Sequence, residues 1–327
     1  SPVLIPGHYF RNMERRMAFD VKTAFSGVQD KFVAVLDENG LRMPREHERG
    51  NILVKPYSND FPLMPQNEMA FMTLHEEIFP GATPFACLVR DPERQGIFHY
   101  AVERFDVGKD AWFEAAQLMG VSEENKYDST MEDLFHFMRS ALSSDEFQKF
   151  VDRCVFCYLS GNADMHLKNY SLSGEEDGRA RLSPAYDMLC SKMYGDGDRL
   201  ALPLQGDRKP RAGAFVEWLS RWGNDIRKRT ERIAKHLMLR LDPVVGSMPG
   251  FTDARNKRWK DRIVSNVVPV CERTIAYCED GKRVSSDHPE KNREIASGHM
   301  EEGAGVDSKW GKWGSLLDEH TVRDVAA

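Results

Sequence analysis

Apolar and polar positions alternate along the first third of the chain and then change period. Lys31-Phe32-Val33-Ala34-Val35-Leu36 predicts a strand, and Asp37-Glu38-Asn39-Gly40 predicts a hairpin turn ending in Asn-Gly. Asn51-Ile52-Leu53-Val54-Lys55-Pro56 predicts a second strand, closed by a proline that cannot donate to a ladder. Pro65 opens a helix reaching about Phe79, with Ala70, Leu74 and Ile78 on one face and Glu68 in the first turn. Strands at Ala86–Val89 and Gly96–Phe105 follow, around the turn Asp91-Pro92-Glu93. Residues 20–106 therefore read as a small antiparallel sheet with one helix.

Beyond residue 106 the spacing becomes helical. Ser129-Thr130-Met131-Glu132 and Ser143-Ser144-Asp145-Glu146 both fit the capping box, which satisfies free N–H groups at a helix start. They predict helices over 131–142 and 145–159, the second ending at Gly161, a residue suited to a helix C-terminus. Residues 162–190 read as an irregular interlude. Helices resume over 212–222, 225–240 and 253–278, with Gly223 and Asp242-Pro243 as breaks. The fold class is α+β, with units at 1–106 and 107–278. Residues 279–327 form a polar segment, of which only Trp310, Trp313, Leu316 and Leu317 suggest a docking helix.

Composition narrows the class without naming a function. At 327 residues, 41% hydrophobic and 29% charged, the chain is neither disordered throughout, nor collagen-like, nor a small disulfide scaffold. No apolar run approaches the roughly 20 residues that cross a bilayer. The start, Ser1-Pro2-Val3-Leu4-Ile5-Pro6, lacks the regions of a signal peptide, so a cytoplasmic protein without membrane contact is expected. A net charge of −6 gives no electrostatic footprint for direct nucleic-acid binding. Arg227, Lys228, Arg229, Arg232 and Lys235 are interleaved with apolar positions and read as a solvated helix face. Of six cysteines only Cys154 and Cys157 form a C-x-x-C, and they lie on a buried helical stripe, where reduced thiols act as small hydrophobes.

The chemistry concentrates in Gly161-Asn162-Ala163-Asp164-Met165-His166-Leu167-Lys168-Asn169 and, further on, in Leu182-Ser183-Pro184-Ala185-Tyr186-Asp187. Gly174–Gly178 reads as a hairpin turn that brings Asn169 and Asp187 side by side. An Asp, an Asn five residues on and a second Asp across a hairpin form the protein-kinase arrangement. The first Asp reaches the acceptor hydroxyl, while the Asn and second Asp supply hard oxygen ligands for Mg²⁺. The competing reading is that Asp164 and Asn169 only stabilise a turn. Lys55 is either the lysine that holds ATP phosphates or a solvated strand end. Glu68 either pairs with Lys55 or, the better fit to its position, faces the helix dipole. Ser26-Gly27-Val28-Gln29-Asp30-Lys31 could lay backbone N–H groups over phosphate.

Together with Glu103-Arg104-Phe105-Asp106, these segments resemble, in collinear order over about residues 20–245, the HipA family of bacterial serine/threonine kinases. Members of that family are toxins of toxin–antitoxin operons. The resemblance implies a two-lobed protein-kinase-like fold with ATP and Mg²⁺ in the cleft. It would make Asp164 the catalytic base, put Asn169 and Asp187 on the metal, and line the catalytic loop with His166 and Lys168. Ser26, Gly27, Val28, Gln29, Lys31 and Lys55 would surround the phosphates, with Glu103, Phe105 and Tyr186 beside the rest of the nucleotide. It further implies a protein substrate, such as a translation factor or an aminoacyl-tRNA synthetase, and an antitoxin partner. The alternatives are a small-molecule phosphotransferase and an idle kinase-like partner of a DNA-binding antitoxin.

Two departures stand out. Only about 20 residues precede the core, where full-length members carry a further subdomain, so the chain resembles the short HipT-type form. Short members resemble S-x-S-G in the phosphate loop, whereas this chain reads Ala24-Phe25-Ser26-Gly27. That leaves Ser26 as the single candidate for regulatory autophosphorylation.

Overall fold

Alternation along residues 32–103 produces a sheet whose two faces do different work. The computed structural model describes residues 3–4, 31–37, 40–91, 93–108, 111–174, 180–195 and 197–280. The sheet comprises β1 (Val3–Leu4), β2 (Phe32–Asp37), β3 (Gly40–Arg42), β4 (Ile52–Lys55), β5 (Ala86–Arg90) and β6 (Phe98–Glu103). Their order is β1-β5-β6-β4-β2-β3, antiparallel except for the edge pair β1 and β5. That parallel pair departs from the all-antiparallel expectation, because a two-residue strand is too short to show a period. The predicted turn residues Glu38, Asn39 and Pro92, and residues 175–179 of the second hairpin turn, lie outside the described residues.

Strand period sorts the side chains of the sheet. Ala34, Ile52, Val54, Val89 and Ala101 form a small outer apolar cluster with Leu41. Tyr100 and Val102 belong instead to the main core, against which Leu53 also packs. The main core includes Ala70, Phe71 and Leu74 of helix α1 (Met64–Ile78), which follows β4 and packs on β6. Pro65 sits in its first turn, where a missing N–H costs nothing.

The remaining chain is mainly helical, with a short β7 (Trp112–Glu114), β8 (Ser171–Gly174) and β9 (Ala180–Leu182) forming a second sheet in the order β7-β8-β9. β7 leads directly into a one-turn helix, α2 (Ala115–Leu118), and neither is announced by the sequence pattern. Helix α3 (Met131–Ala141) is capped by Thr130, which accepts from the Asp133 N–H at 3.1 Å, one residue later than the predicted box. Helix α4 (Ser144–Ser160) is capped by Ser143 as predicted. Glu146 does not close that box; it accepts instead from the Leu182 N–H at 2.8 Å and ties α4 to β9. Gly161 ends α4 with φ 73°, a left-handed conformation that glycine adopts without penalty.

Helices α5 (Ala212–Leu219), α6 (Ile226–Ser247) and α7 (Lys257–Asp280) complete the larger lobe. The predicted break at Asp242-Pro243 does not occur, and α6 runs through Pro243. Burial of Val244 and Val245 beyond the proline holds the last turn in place. Leu239, four residues back, is exposed, so water can take the place of the missing N–H donor. The basic side chains of α6 are only partly solvated: Arg229 donates to buried Asp152 at 2.9 Å and Lys235 pairs with Glu279 at 2.8 Å. All six cysteines are free, and Cys154 and Cys157 are buried on α4, packed as small apolar groups. The two-lobed α+β arrangement is the one the sequence predicts.

Candidate active site

Lys55 is the last residue of β4, and alternation puts it on the same face as Leu53, toward α1. It lies opposite Tyr100 in the ladder, with its ammonium 5.6 Å from the centre of that ring. The Nζ is 2.6 Å from Glu68 Oε1 and also bonds the carboxylate of Asp187. Glu68 is only 2% exposed and turned toward β4, so the solvated helix-dipole reading favoured by its sequence position does not hold. The solvated-end reading of Lys55 fails likewise, at 6% exposure.

Asp187 gathers the catalytic loop around it. Its φ is +56°, a left-handed conformation uncommon outside glycine, and the Asn162 side chain pins that backbone by donating to the Asp187 carbonyl at 2.8 Å. Asn169 Nδ2 donates to Asp187 Oδ2 at 3.1 Å, so β8 and β9 bring the two residues together as the hairpin reading requires. Cys190, three residues beyond Asp187, is held by buried Asn67 of α1 in a reciprocal pair. Its N–H donates to Oδ1 at 3.0 Å and its carbonyl accepts from Nδ2 at 3.1 Å.

Asp164 stands at the mouth of the same loop, with part of its side chain open to solvent. Its backbone N–H donates to Asn162 Oδ1 at 3.3 Å, and its carboxylate accepts from the Tyr127 hydroxyl. The neighbouring Ala163 N–H donates to Ser191 Oγ at 2.8 Å, and that hydroxyl donates on to the Gly161 carbonyl at 3.2 Å. His166 is buried, its ring 5.0 Å from that of Tyr127 in an edge-on contact. Lys168 Nζ lies 3.3 Å from Glu123 and 3.7 Å from Glu114. The Lys168 carbonyl accepts from the Tyr186 hydroxyl at 2.8 Å.

Charge in the cluster is unbalanced, with one buried ammonium between two carboxylates. Burial pushes Glu68 up to about 7 despite the opposing pull of Lys55. Burial acts to raise Asp187 as well, but the charges of Lys55 and Lys31 prevail and hold it below the ordinary carboxylate value. Lys31 is itself lowered by burial, with Asp187 acting against that shift. Asp164 is raised, chiefly by desolvation, against the Tyr127 hydrogen bond and the charge of Lys126. His166 falls to about 4 through burial and the nearby Lys126, and is neutral near pH 7.

Phe105 and Tyr186 pack with ring centres 5.4 Å apart and planes tilted by 33°, and Trp112 meets Phe105 edge-on at 5.3 Å, forming an aromatic corner beside the end of β6. The Glu103 N–H is already committed to the Phe85 carbonyl at 2.8 Å. The Phe105 N–H has no backbone partner among the described residues. Ser26, Gly27, Val28 and Gln29 lie outside the described residues.

Among the described residues no three His, Cys, Asp or Glu side chains converge as a metal site. The Asn169–Asp187 pair instead suits a hard cation that completes its shell with phosphate oxygens and water, the usual habit of Mg²⁺. Of the predicted site residues that are described, Lys55, Asn169 and Asp187 share direct contacts. Asp164 and His166 adjoin them on one loop, and Lys31 lies within electrostatic reach. Asn67, Asn162, Tyr127 and Ser191 are participants that motif spacing does not single out. Asn162 alone lay inside a motif, one residue past Gly161.

The HipA-like C-terminal domain family model matches residues 23–244. Two relatives from Sinorhizobium fredii are similar: "Putative kinase Y4dM", 31% identical over 55% of this chain and 48% of its own length, and "Putative kinase Y4mE", 30% identical over 54% and 44%. The chain thus spans about half the length of these curated relatives. Among solved structures, the HipA toxin of Shewanella oneidensis MR-1, determined with HipB and operator DNA, superposes with TM-score 0.68 at 19% identity, over 84% of this chain and 72% of that one. The Helicobacter pylori proinflammatory kinase CtkA superposes with TM-score 0.52 at 11% identity, over 76% and 97%. At these identities the superpositions establish the fold, a two-lobed kinase-like one. Among the described residues no helix is long and apolar enough to cross a membrane.

Proposed function

This chain belongs to the HipA-like C-terminal domain family, and on that premise we propose that it is an ATP-dependent serine/threonine kinase acting on a protein. The observation that carries the reading is the Asn169–Asp187 contact at 3.1 Å beside the Lys55 ammonium, with Asp164 on the same loop. In this reading Asp164 orients the acceptor hydroxyl and takes up its proton as transfer proceeds. Asn169 and Asp187 hold Mg²⁺, which when bound offsets charge on the transferring phosphoryl group. Lys55, kept charged by its two carboxylate partners, holds phosphate oxygens of ATP. Lys31 and the segment Ser26–Gln29 cover the phosphates, Lys168 and His166 shape the loop around the transferred group, and the corner made by Phe105 and Tyr186, next to Glu103, receives the base. Units at 1–106 and 107–278 correspond to the two lobes in this reading.

A translation factor or aminoacyl-tRNA synthetase as substrate, and a DNA-binding antitoxin as partner, extend the proposal by likeness to the family and to the HipA–HipB–DNA assembly. Ser26 is proposed as the autophosphorylation site; mass spectrometry of protein incubated with Mg-ATP would find phosphate there. The deciding experiment compares wild type with Asp164→Asn in a cell lysate supplied with labelled ATP. One or more labelled proteins are expected with wild type only, at a rate about 10²–10⁴ above the variant. Label appearing only in small metabolites, or equally with both proteins, would overturn the reading.

A further inference from the structure

The cluster around Asp187 accounts for the nucleotide side of Asp164. On its other side lies a cavity of about 330 Å³ whose lining includes Tyr127, Asp164, Lys192, Asp198, Leu200 and Arg208. Lys55, Asn169 and Asp187 are not among its walls, so Asp164 joins the two regions. The volume falls at the lower end of the roughly 300–1,000 Å³ typical of binding pockets, room for a few small residues of an extended segment. The cavity opens beside the carboxylate that the proposed chemistry aims at an acceptor hydroxyl. Tyr127 already donates a hydroxyl to that carboxylate, which marks where an acceptor hydroxyl can sit.

The charges lining the cavity are not equivalent. Lys192 Nζ is spent on the Gly197 carbonyl at 2.6 Å, and Asp198 faces Lys209 at 3.7 Å. Arg208 differs from both. Its backbone is fixed, its carbonyl accepting from the N–H groups of Arg199 at 2.9 Å and Leu200 at 3.0 Å. Its half-buried guanidinium has no hydrogen-bond or ion-pair partner among the described residues. A guanidinium held on a fixed turn presents a planar fork of donors matched to a carboxylate.

We propose, resting on the kinase reading, that this cavity is the acceptor-side recognition site and that Arg208 selects substrates carrying an Asp or Glu side chain close to the phosphorylated hydroxyl. The hydroxyl residue enters toward Asp164 while the neighbouring carboxylate pairs with Arg208. Like-charge juxtaposition at the same spot excludes segments with Lys or Arg there.

The test incubates the full chain and Mg-ATP with a dephosphorylated peptide library prepared from a bacterial proteome, and maps the phosphosites. With wild type, Asp and Glu are expected about tenfold over Lys and Arg at one position within about three residues of the acceptor, the ratio that a single charge-assisted pair supports. Arg208→Gln is expected to erase the preference and Arg208→Glu to invert it toward Lys and Arg, an outcome that misfolding cannot produce. Phosphosites without acidic enrichment, or with the same enrichment in Arg208→Glu, would overturn the proposal and leave the kinase reading standing. Absence of any phosphosite that depends on Asp164 would instead overturn the kinase reading, and this proposal with it.

Discussion

Lys55 and Glu68 meet at 2.6 Å with side chains 8% and 3% exposed, joining the end of β4 to α1. The same ammonium reaches Asp187 of the larger lobe, so one cation holds two carboxylates across the cleft. Asp187 is 34% exposed, accepts from Asn169 and feels the charge of Lys31, so it depends on Lys55 less than buried Glu68 does.

Lys55→Met should therefore destabilise the nucleotide-free protein by about 3–5 kcal/mol, the cost of stranding buried charge. Glu68→Gln leaves Lys55 paired with Asp187 and should cost clearly less. Urea unfolding of both variants checks the order; equal losses would mean that Lys55 does not serve both carboxylates.

Asn67 should behave as a structural tie with a kinetic consequence. Its amide satisfies both backbone groups of Cys190, at 3.0 and 3.1 Å, and is fully buried. Asn67→Ala strands the buried Cys190 N–H, while the Cys190 carbonyl keeps the Met193 N–H at 3.1 Å, so a loss of about 1–3 kcal/mol is expected on urea unfolding. Because Cys190 follows Asp187 by three residues, the Mg²⁺ concentration for half-maximal phosphoryl transfer should rise in the same variant. A stability loss without any change in Mg²⁺ dependence would show that the tie does not position Asp187.

Tyr127 donates to Asp164 and thereby favours the ionised carboxylate, against a surrounding that disfavours it. Phosphoryl transfer in the proposed mechanism needs that ionised form, so activity should fall as pH drops through the Asp164 pKa. Tyr127→Phe removes the donor, raises that pKa, and should move the acid limb of kcat/KM to higher pH. An unmoved acid limb, measured over pH 4–8 with the variant folded, would sever the link between the two residues.

The residues now grouped around Asp187 divide by how they can be seen in a sequence. Asp164, Asn169 and Asp187 are legible because their order along the chain, with a hairpin between, already implies their convergence. Lys55 is half legible: strand period fixes its face, but a solvated strand end and a buried phosphate-side lysine read alike until α1 closes over it. Glu68 shows the limit of local reasoning: its helical position permits a solvated dipole contact or a buried ion pair, and only the packing of α1 on the sheet decides. Tyr127, Asn67 and Ser191 are single polar residues on other segments, and nothing local marks them before the loops close. Pro243 errs in the other direction, since its strong local signal is overridden by burial of the valines that follow.

His75 lies on α1 between the lobes, 2% exposed, its ring 4.9 Å from Phe79 and 5.0 Å from Phe156, with Nδ1 lacking a hydrogen-bond partner. Burial, assisted by the charge of Arg153, lowers its pKa to about 3. An unfolded chain binds that proton below about 6.5, whereas the native state refuses it until about 3. Stability from this group is thus complete above pH 6.5 and is lost as pH falls, by about 1.4 kcal/mol per unit. His99 and His166, each lowered to about 4, act in the same direction, and Glu68, raised to about 7, acts in the opposite one. The difference between two proteins isolates His75 from these. His75→Phe keeps the ring contacts and removes the titration, so between pH 7 and pH 5 wild type should lose about 2 kcal/mol more than the variant in urea unfolding. Equal losses in the two proteins would mean that His75 is protonated in the native state without penalty, and that the interface between α1 and α4 is wet at this point.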